Sequence, residues 1–373
     1  MESLFPASYE ASRARFIRDL ELVRVHWTDT RLESYPLKSD PSLSIDYAWA
    51  EPRKKENLVI ISTGLHGIEG YVGSVMLKLF MDEFAPRMNP ENTGLLLVHA
   101  VNPFGMKNRR RYNENNVDLN RNFVWDENFD PKINPDYEHL SPMLNPSKPI
   151  TNLFASDIAF VSRLVRNLVT LGILRIRQGM LSGQYRHPRG VQFGGASTQE
   201  SAQLMRGLFQ KAFDEYEQVI HLDLHTGYGP RYQMSIVNST REPASAPDLI
   251  RRFNYPLILA ATPSNFYTVT GDITEYFYQL HDEKYPSKKI FATCFEFGTF
   301  GDTLPAQIRS MRITILENRL FQRGVQSDAL RQAVRNEYEE LFFPAEEKWR
   351  EKALADCRQA YRGIFSAYGL LHT

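Results

Sequence analysis

His66 and Glu69 are separated by two residues in the segment GLHGIEG, residues 64–70. An imidazole and a carboxylate so placed on a turn are a natural pair of ligands for a borderline-soft cation, because the flanking glycines let the backbone fold until both face one point. A lone His-x-x-Glu is a common coincidence in a chain of 373 residues. A metal reading therefore needs a third group from elsewhere.

His225 supplies it. It closes the apolar run QVIHLDLH, residues 218–225, and the glycines that follow end the strand and open a loop. Two imidazoles and one carboxylate form a three-ligand set of the kind catalytic zinc uses, with the fourth position left to water. That donor set suits zinc better than calcium or magnesium. His221 and Asp223 share the strand face of His225 by alternation, so His221 is the rival ligand. Glu296, set among Phe291, Cys294, Phe295 and Phe297, is costly to bury unless it is compensated or functional. Cys294 and Cys357 are the two cysteines. They stand in neither a CxxC nor a CxxH arrangement, so sulfur is not expected to bind the metal, and buried free cysteine is the commoner fate of a strand residue such as Cys294.

A wider pattern joins these pieces. The chain runs through HxxE, a strand ending in NPFG, the Arg-rich stretch KNRRRYNEN, NVDLNRNF at 116–123, the strand-end His225 and the strand-end Glu296 in CFEFGTFG, with LPAQ at 304–307 beyond it. In that order the elements resemble the zinc metallocarboxypeptidase superfamily, whose type member is carboxypeptidase A, over roughly Leu58 to Gln307. The chain is most similar to a poorly characterised bacterial branch of it. The resemblance implies one Zn²⁺ per chain held by His66, Glu69 and His225, with Glu296 as the general base of amide hydrolysis. It makes Asp118 the acceptor that orients His66, and assigns Asn120 and Arg121 to a substrate carboxylate. It also calls for an arginine to polarise the scissile carbonyl. Arg109, Arg110 and Arg111 are adjacent and spacing does not separate them; Arg110 is preferred. The mobile tyrosine common upstream of the base is matched by Tyr276 or Tyr278, of which Tyr278 is the candidate. The aspartoacylase and succinylglutamate desuccinylase group uses similar HxxE, DLNR and DLH elements, so two enzyme readings stand: a carboxypeptidase acting on peptides, or a deacylase of an N-acyl amino acid. A binding protein that keeps the metal without turnover is the third.

Positioning these residues requires buried strands. Asn57–Thr63, Gly94–Val101, Gln218–His225 and Lys289–Phe297 are apolar runs without polar alternation, separated by helical patterns at Val72–Phe84, Ser156–Arg175 and Glu200–Tyr216. Such runs predict an α/β fold with a mixed, mainly parallel twisted sheet covered by helices on both faces. In open α/β sheets the ligand crevice lies at the carboxyl ends of the strands, where the suspicious residues fall. A first helix is expected over Ala7–Val25, with Ser156 as a later N-cap. Phe123–Thr151, with five prolines, reads as an irregular excursion able to wall the site. The loop Gly183–Gly195 offers Tyr185 and His187 as pocket-lining groups, although surface turns share that composition. The charged tail from Ser327 to Tyr368, broken near Pro344, is expected to pack on the outside.

Composition sets the outer bounds. With 44 basic and 44 acidic residues there is no global field to hold a nucleic acid or an anionic membrane. The expected partner is a peptide or a small acyl amino acid. No run resembles a signal peptide or a membrane span, which makes the cytoplasm the default location. No linker divides the chain, so one elaborated domain over residues 1–373 is expected, with a catalytic core at about 55–325 and a helical C-terminal extension at 326–373.

Overall fold

The computed structural model describes residues 4–260 and 270–372. Its centre is one eight-stranded sheet. The strands are β1 (Thr30–Pro36), β2 (Ser44–Ala50), β3 (Asn57–Thr63), β4 (Thr93–His99), β5 (Gln218–Thr226), β6 (Met234–Asn238), β7 (Ile258–Ala260) and β8 (Lys289–Phe297). They lie in the order β1-β2-β4-β3-β5-β8-β6-β7. The central strands β4, β3, β5 and β8 run parallel, and β6 pairs with β7 in parallel. The pairings β1–β2, β2–β4 and β6–β8 are antiparallel. The sheet is therefore mixed, with a parallel centre.

The unbroken apolar runs follow from burial on both faces. Along β3, Leu58 and Ile60 join one apolar cluster while Val59 and Ile61 join the other; on β4, Leu96 and Val98 split from Leu95 and Leu97 in the same way. The first face is covered by α7 (Glu200–Glu215) and α9 (Ile273–Lys284), through Phe209, Phe213 and Phe277. The second is covered by α1 (Tyr9–Arg24), α2 (Gly70–Glu83), α8 (Ala246–Phe253) and α12 (Glu347–Ala367). A short α3 (Pro103–Lys107) follows β4. A third cluster is built by α4 (Pro135–Leu144), α5 (Leu153–Leu171) and α6 (Ile173–Leu181), which meet Met311 and Ile315 of α10 (Leu304–Arg323). The last connection to α12 is α11 (Asp328–Phe342). Among the described residues no helix is long and apolar enough to cross a membrane.

Three expectations change. The proline-rich excursion contains α4, because Asn134 caps it and Pro135 sits at the first helical position, where a missing N–H costs nothing. The helix expected from Ser156 begins at Leu153, with the Asn152 side chain accepting from Ala155 N, and it breaks at Gly172 (φ 76°) to restart as α6. The C-terminal segment is not an outer layer. Trp349, Cys357, Tyr361, Ile364 and Phe365 are buried in the second core, against Phe80 of α2 and Phe84 just beyond its end.

His99, at the end of β4, is fully buried. It shares a hydrogen bond with Ser12 Oγ (2.9 Å) and stacks on Phe16. Burial pushes its pKa down to about 4. The unfolded chain then binds the extra proton between about pH 6.5 and 4, so stability is complete above 6.5 and falls through that window by roughly 3 kcal/mol for this group. Urea unfolding at pH 7, 5 and 4 should show the fall, and His99→Gln should reduce its slope by about one proton. An unchanged slope would refute the assignment.

Candidate metal centre and active site

The carboxyl ends of β3, β5 and β8 lie side by side. His225 and Glu296 are register partners on adjacent parallel strands and so share one sheet face. His66 comes from the turn after β3, which is possible only because the backbone passes so close to its neighbours. A Cβ on Gly67 would stand 2.1 Å from the carbonyl carbon of Gly105, and Gly64 (φ 65°) sits against Ala100. The turn leads directly into a short helical turn, Gly67–Glu69, and α2.

His66, Glu69 and His225 converge, all buried. His66 Nδ1 is 2.9 Å from Glu69 Oε1, His225 Nδ1 is 3.1 Å from Glu69 Oε2, and the two Nδ1 atoms are 3.1 Å apart. Their far nitrogens already face carboxylates: His66 Nε2 lies 3.2 Å from Asp118 Oδ1, and His225 Nε2 lies 2.5 Å from Asp223 Oδ2. Each carboxylate favours the tautomer with the proton on Nε2, which leaves both Nδ1 lone pairs turned on one point. Two nitrogen ligands of a tetrahedral zinc, each at ~2.0–2.1 Å, are separated by about 3.3 Å. The observed spacing fits a single divalent ion. Burial pushes the Glu69 carboxyl up, but in the metal-free cluster positive charge and hydrogen bonds from His66 and His225 hold it down at about 2, so it is an anion before any cation binds.

The supports are themselves anchored. Asp118 accepts from Arg111 Nε (2.9 Å) and caps the turn Leu119–Arg121 by accepting from Asn120 N (3.1 Å). Ser62 Oγ donates to Asp223 (2.6 Å) and also contacts His221 Nε2 (2.8 Å). His221 thus belongs to the scaffold behind His225, outside the ligand cluster, and burial lowers its pKa to about 4. Sequence reasoning noted the shared face of Asp223 and left its role open; its place two residues before a strand-end histidine is the signal that identifies it.

Several expected site residues lie elsewhere. Arg110 is buried against Glu317 of α10, with Nε 2.6 Å from Oε1, and also meets Asn116 and Asn318. It does not line the cavity. Arg111 does, and its Nη1 is 3.4 Å from Glu69 Oε1. Adjacent side chains on an irregular segment diverge, which spacing cannot foresee. Arg121 is also off the cavity, its guanidinium donating to the carbonyls of Leu181 (2.7 Å) and Asn120 (2.8 Å). Asn120 remains on the lining, tied to Asp272 and to Ile273 N. Tyr278 faces the sheet, where its hydroxyl donates to Glu242 and accepts from Ala292 N, and Tyr276 lines the cavity instead. Of the loop residues, Tyr185 donates to Arg121 O and His187 pairs with Glu138, leaving Gln192 as the lining member.

The cavity above the cluster has a volume of about 600 Å³. Phe123, Val124 and Trp125 wall it, as foreseen for the proline-rich segment, and Leu341 and Phe342 of α11 close another side. Glu296 stands on its floor with Oε2 buried and unpartnered. Burial raises its carboxyl to about 7, against the lowering pull of His225, and the nearby Glu69 charge adds to the rise. A carboxylate poised near neutrality with an open lone pair is the profile of a general base. Burial also drives the Cys294 thiol well above its usual range, so it is no nucleophile at neutral pH.

Fold and site together define a mixed-sheet α/β protein with a candidate metal centre at the carboxyl ends of its parallel strands. Residues 5–356 match the family described as "Protein of unknown function (DUF2817)", and the chain belongs to that family. No curated protein matches it. Among solved structures it is similar to carboxypeptidase A from Helicoverpa armigera, at 13% identity over 90% of this chain and 75% of the other, TM-score 0.47. It is similar also to bovine thrombin-activatable fibrinolysis inhibitor, at 12% identity over 87% and 97%, TM-score 0.46. A succinylglutamate desuccinylase from Silicibacter sp. TM1040 is similar at 12% identity over 80% and 68%, TM-score 0.37.

Proposed function

We propose that this chain is a metal-dependent hydrolase of an amide bond in a peptide or peptide-like substrate. One observation carries the reading: the Nδ1 atoms of His66 and His225, 3.1 Å apart, share the Glu69 carboxylate while their Nε2 atoms are engaged by Asp118 and Asp223. A divalent ion held there, zinc by the donor set, would supply Lewis acidity toward a carbonyl and acidify water. The residues do the rest. Glu296 accepts a proton from the attacking water and returns it to the leaving amine. Arg111, in the place first assigned to Arg110, faces the developing oxyanion. Asn120 orients the substrate from the cavity wall. The cavity volume lies within the ~300–1,000 Å³ of sites that enclose drug-sized ligands, and its aromatic walls favour several linked residues over one acyl amino acid.

The test is metal analysis joined to two substrate panels, peptides with free C-termini and N-acyl amino acids. One equivalent of zinc and release of C-terminal residues are expected. Chelation should abolish turnover and lower thermal stability, since a ligand at about 100 times its Kd contributes ~2.7 kcal/mol to the folded state. Holo protein inert to both panels would favour the metal-holding binding protein, and cleavage confined to N-acyl amino acids would favour the deacylase.

A further inference from the structure

Among the described residues, three arginines line the cavity: Arg111, Arg177 and Arg241. Arg111 pairs with Asp118 and Glu69, and Arg241 with Asp282 and Glu275. Arg177 differs. Its Nη2 donates to the Tyr228 hydroxyl (2.9 Å), its Nε is buried without a hydrogen-bond partner, and among the described residues no carboxylate pairs with it. The guanidinium is half-buried at the cavity wall with one donor buried and unsatisfied, and such a cation is stabilised when an anion pairs with it.

Its position is supported from below. Arg177 lies on α6, one turn before Leu181, whose carbonyl receives both Nε (3.2 Å) and Nη2 (2.7 Å) of Arg121. The arginine of the DLNR segment is thus a buttress that pins the end of the helix presenting Arg177. Tyr228 lies three residues beyond His225, on the loop that leaves β5, and lines the cavity together with Glu296. A ligand group held at Arg177 and Tyr228 therefore lies in the same cavity as the candidate base.

From this geometry we infer that Arg177, with Tyr228 beside it, is the anion-binding subsite of the cavity and that the ligand carries a carboxylate. The inference rests on reading the cavity as the substrate site but not on turnover. A planar guanidinium can donate to both oxygens of one carboxylate at once, as an ammonium cannot. The carboxylate comes either from a free C-terminus or from the acyl side of the amide.

The test is equilibrium binding by calorimetry to metal-loaded Glu296→Gln protein, which keeps the probes intact. The probes are N-acetyl-phenylalanine, N-succinyl-phenylalaninamide and N-acetyl-phenylalaninamide. At least one of the two carboxylate probes should bind about 10–100-fold more tightly than the neutral amide, as expected for hydrogen bonds to charged groups, and the tighter of them tells which end is recognised. Adding Arg177→Gln should erase that preference and leave the affinity of the neutral amide and the metal content unchanged. Arg177→Lys serves if the Gln variant does not fold: a several-fold loss confined to the carboxylate probes is expected. A preference that survives Arg177→Gln places the anion on the metal or on Arg111 and overturns the inference. So does the absence of any preference, or an equal loss for all three probes. Because the readout is affinity, failure of the proposed hydrolysis leaves this result interpretable.

Discussion

Glu296→Gln should retain one equivalent of metal and fold normally, yet lose about 10²–10⁴ in kcat/KM. The substitution is isosteric, and Glu296 Oε2 has no hydrogen-bond partner to lose. None of the ligands His66, Glu69 or His225 is altered. The rate alone should respond. The pH profile sharpens the expectation. A general base works as the carboxylate, so activity is present above its pKa and falls about tenfold per unit below it. Burial sets that value at about 7 with no cation nearby. A divalent ion held by the adjacent ligands favours the ionised form, so the acid limb of the loaded enzyme should fall at or below 7. Stopped-flow or steady-state rates from pH 5 to 9 check this. Near-native turnover by the Gln variant, or an acid limb unchanged in it, would remove Glu296 from the chemistry.

How much of this was legible in the sequence depends on the kind of constraint. The central strands could be read because burial on both faces enforces apolar runs, and β3, β5 and β8 begin and end within a residue of where the runs do. The sheet edges could not. β1 alternates exposed and partly buried residues, TRLESYP, and β7 is three residues long, so neither carries a run. The convergence of His66, Glu69 and His225 was anticipated from residue type at and just beyond strand ends, and the contact of His66 with Asp118 from the resemblance. The arginines did not follow, because Arg109, Arg110 and Arg111 differ only in direction. Arg109 pairs with Glu339 on α11, Arg110 with Glu317 on α10, and Arg111 with Asp118 and Glu69. For Arg109 and Arg110 the choice is fixed by an acidic residue distant in sequence, and for Arg111 by Asp118 seven residues on together with Glu69. Arg177 had no local signal either, since its meaning arises only when α6 is pinned over the cavity.

That divergence yields a contrast between neighbours. Arg110→Gln leaves Glu317 without its ionic partner in a site where both side chains are under a tenth exposed, and Asn116 and Asn318 lose a donor as well. Breaking a buried pair by removing one partner costs about 3–5 kcal/mol. Urea unfolding should show a loss of that order, while kcat/KM per folded molecule stays near the parent value. Arg111→Gln should impair the reaction itself. Its side chain faces the cavity, but its partners Asp118 and Glu69 are buried, so its removal should also cost stability in the metal-free protein. At saturating metal it should lower kcat by about 10²–10³, the loss typical of one oxyanion donor. Metal affinity should also weaken by about tenfold or more, because Asp118, which orients His66, loses its own anchor. The two effects separate by titrating metal before measuring rate. If Arg110→Gln abolished turnover in fully folded protein while Arg111→Gln did not, the assignment of the two side chains would have to be exchanged.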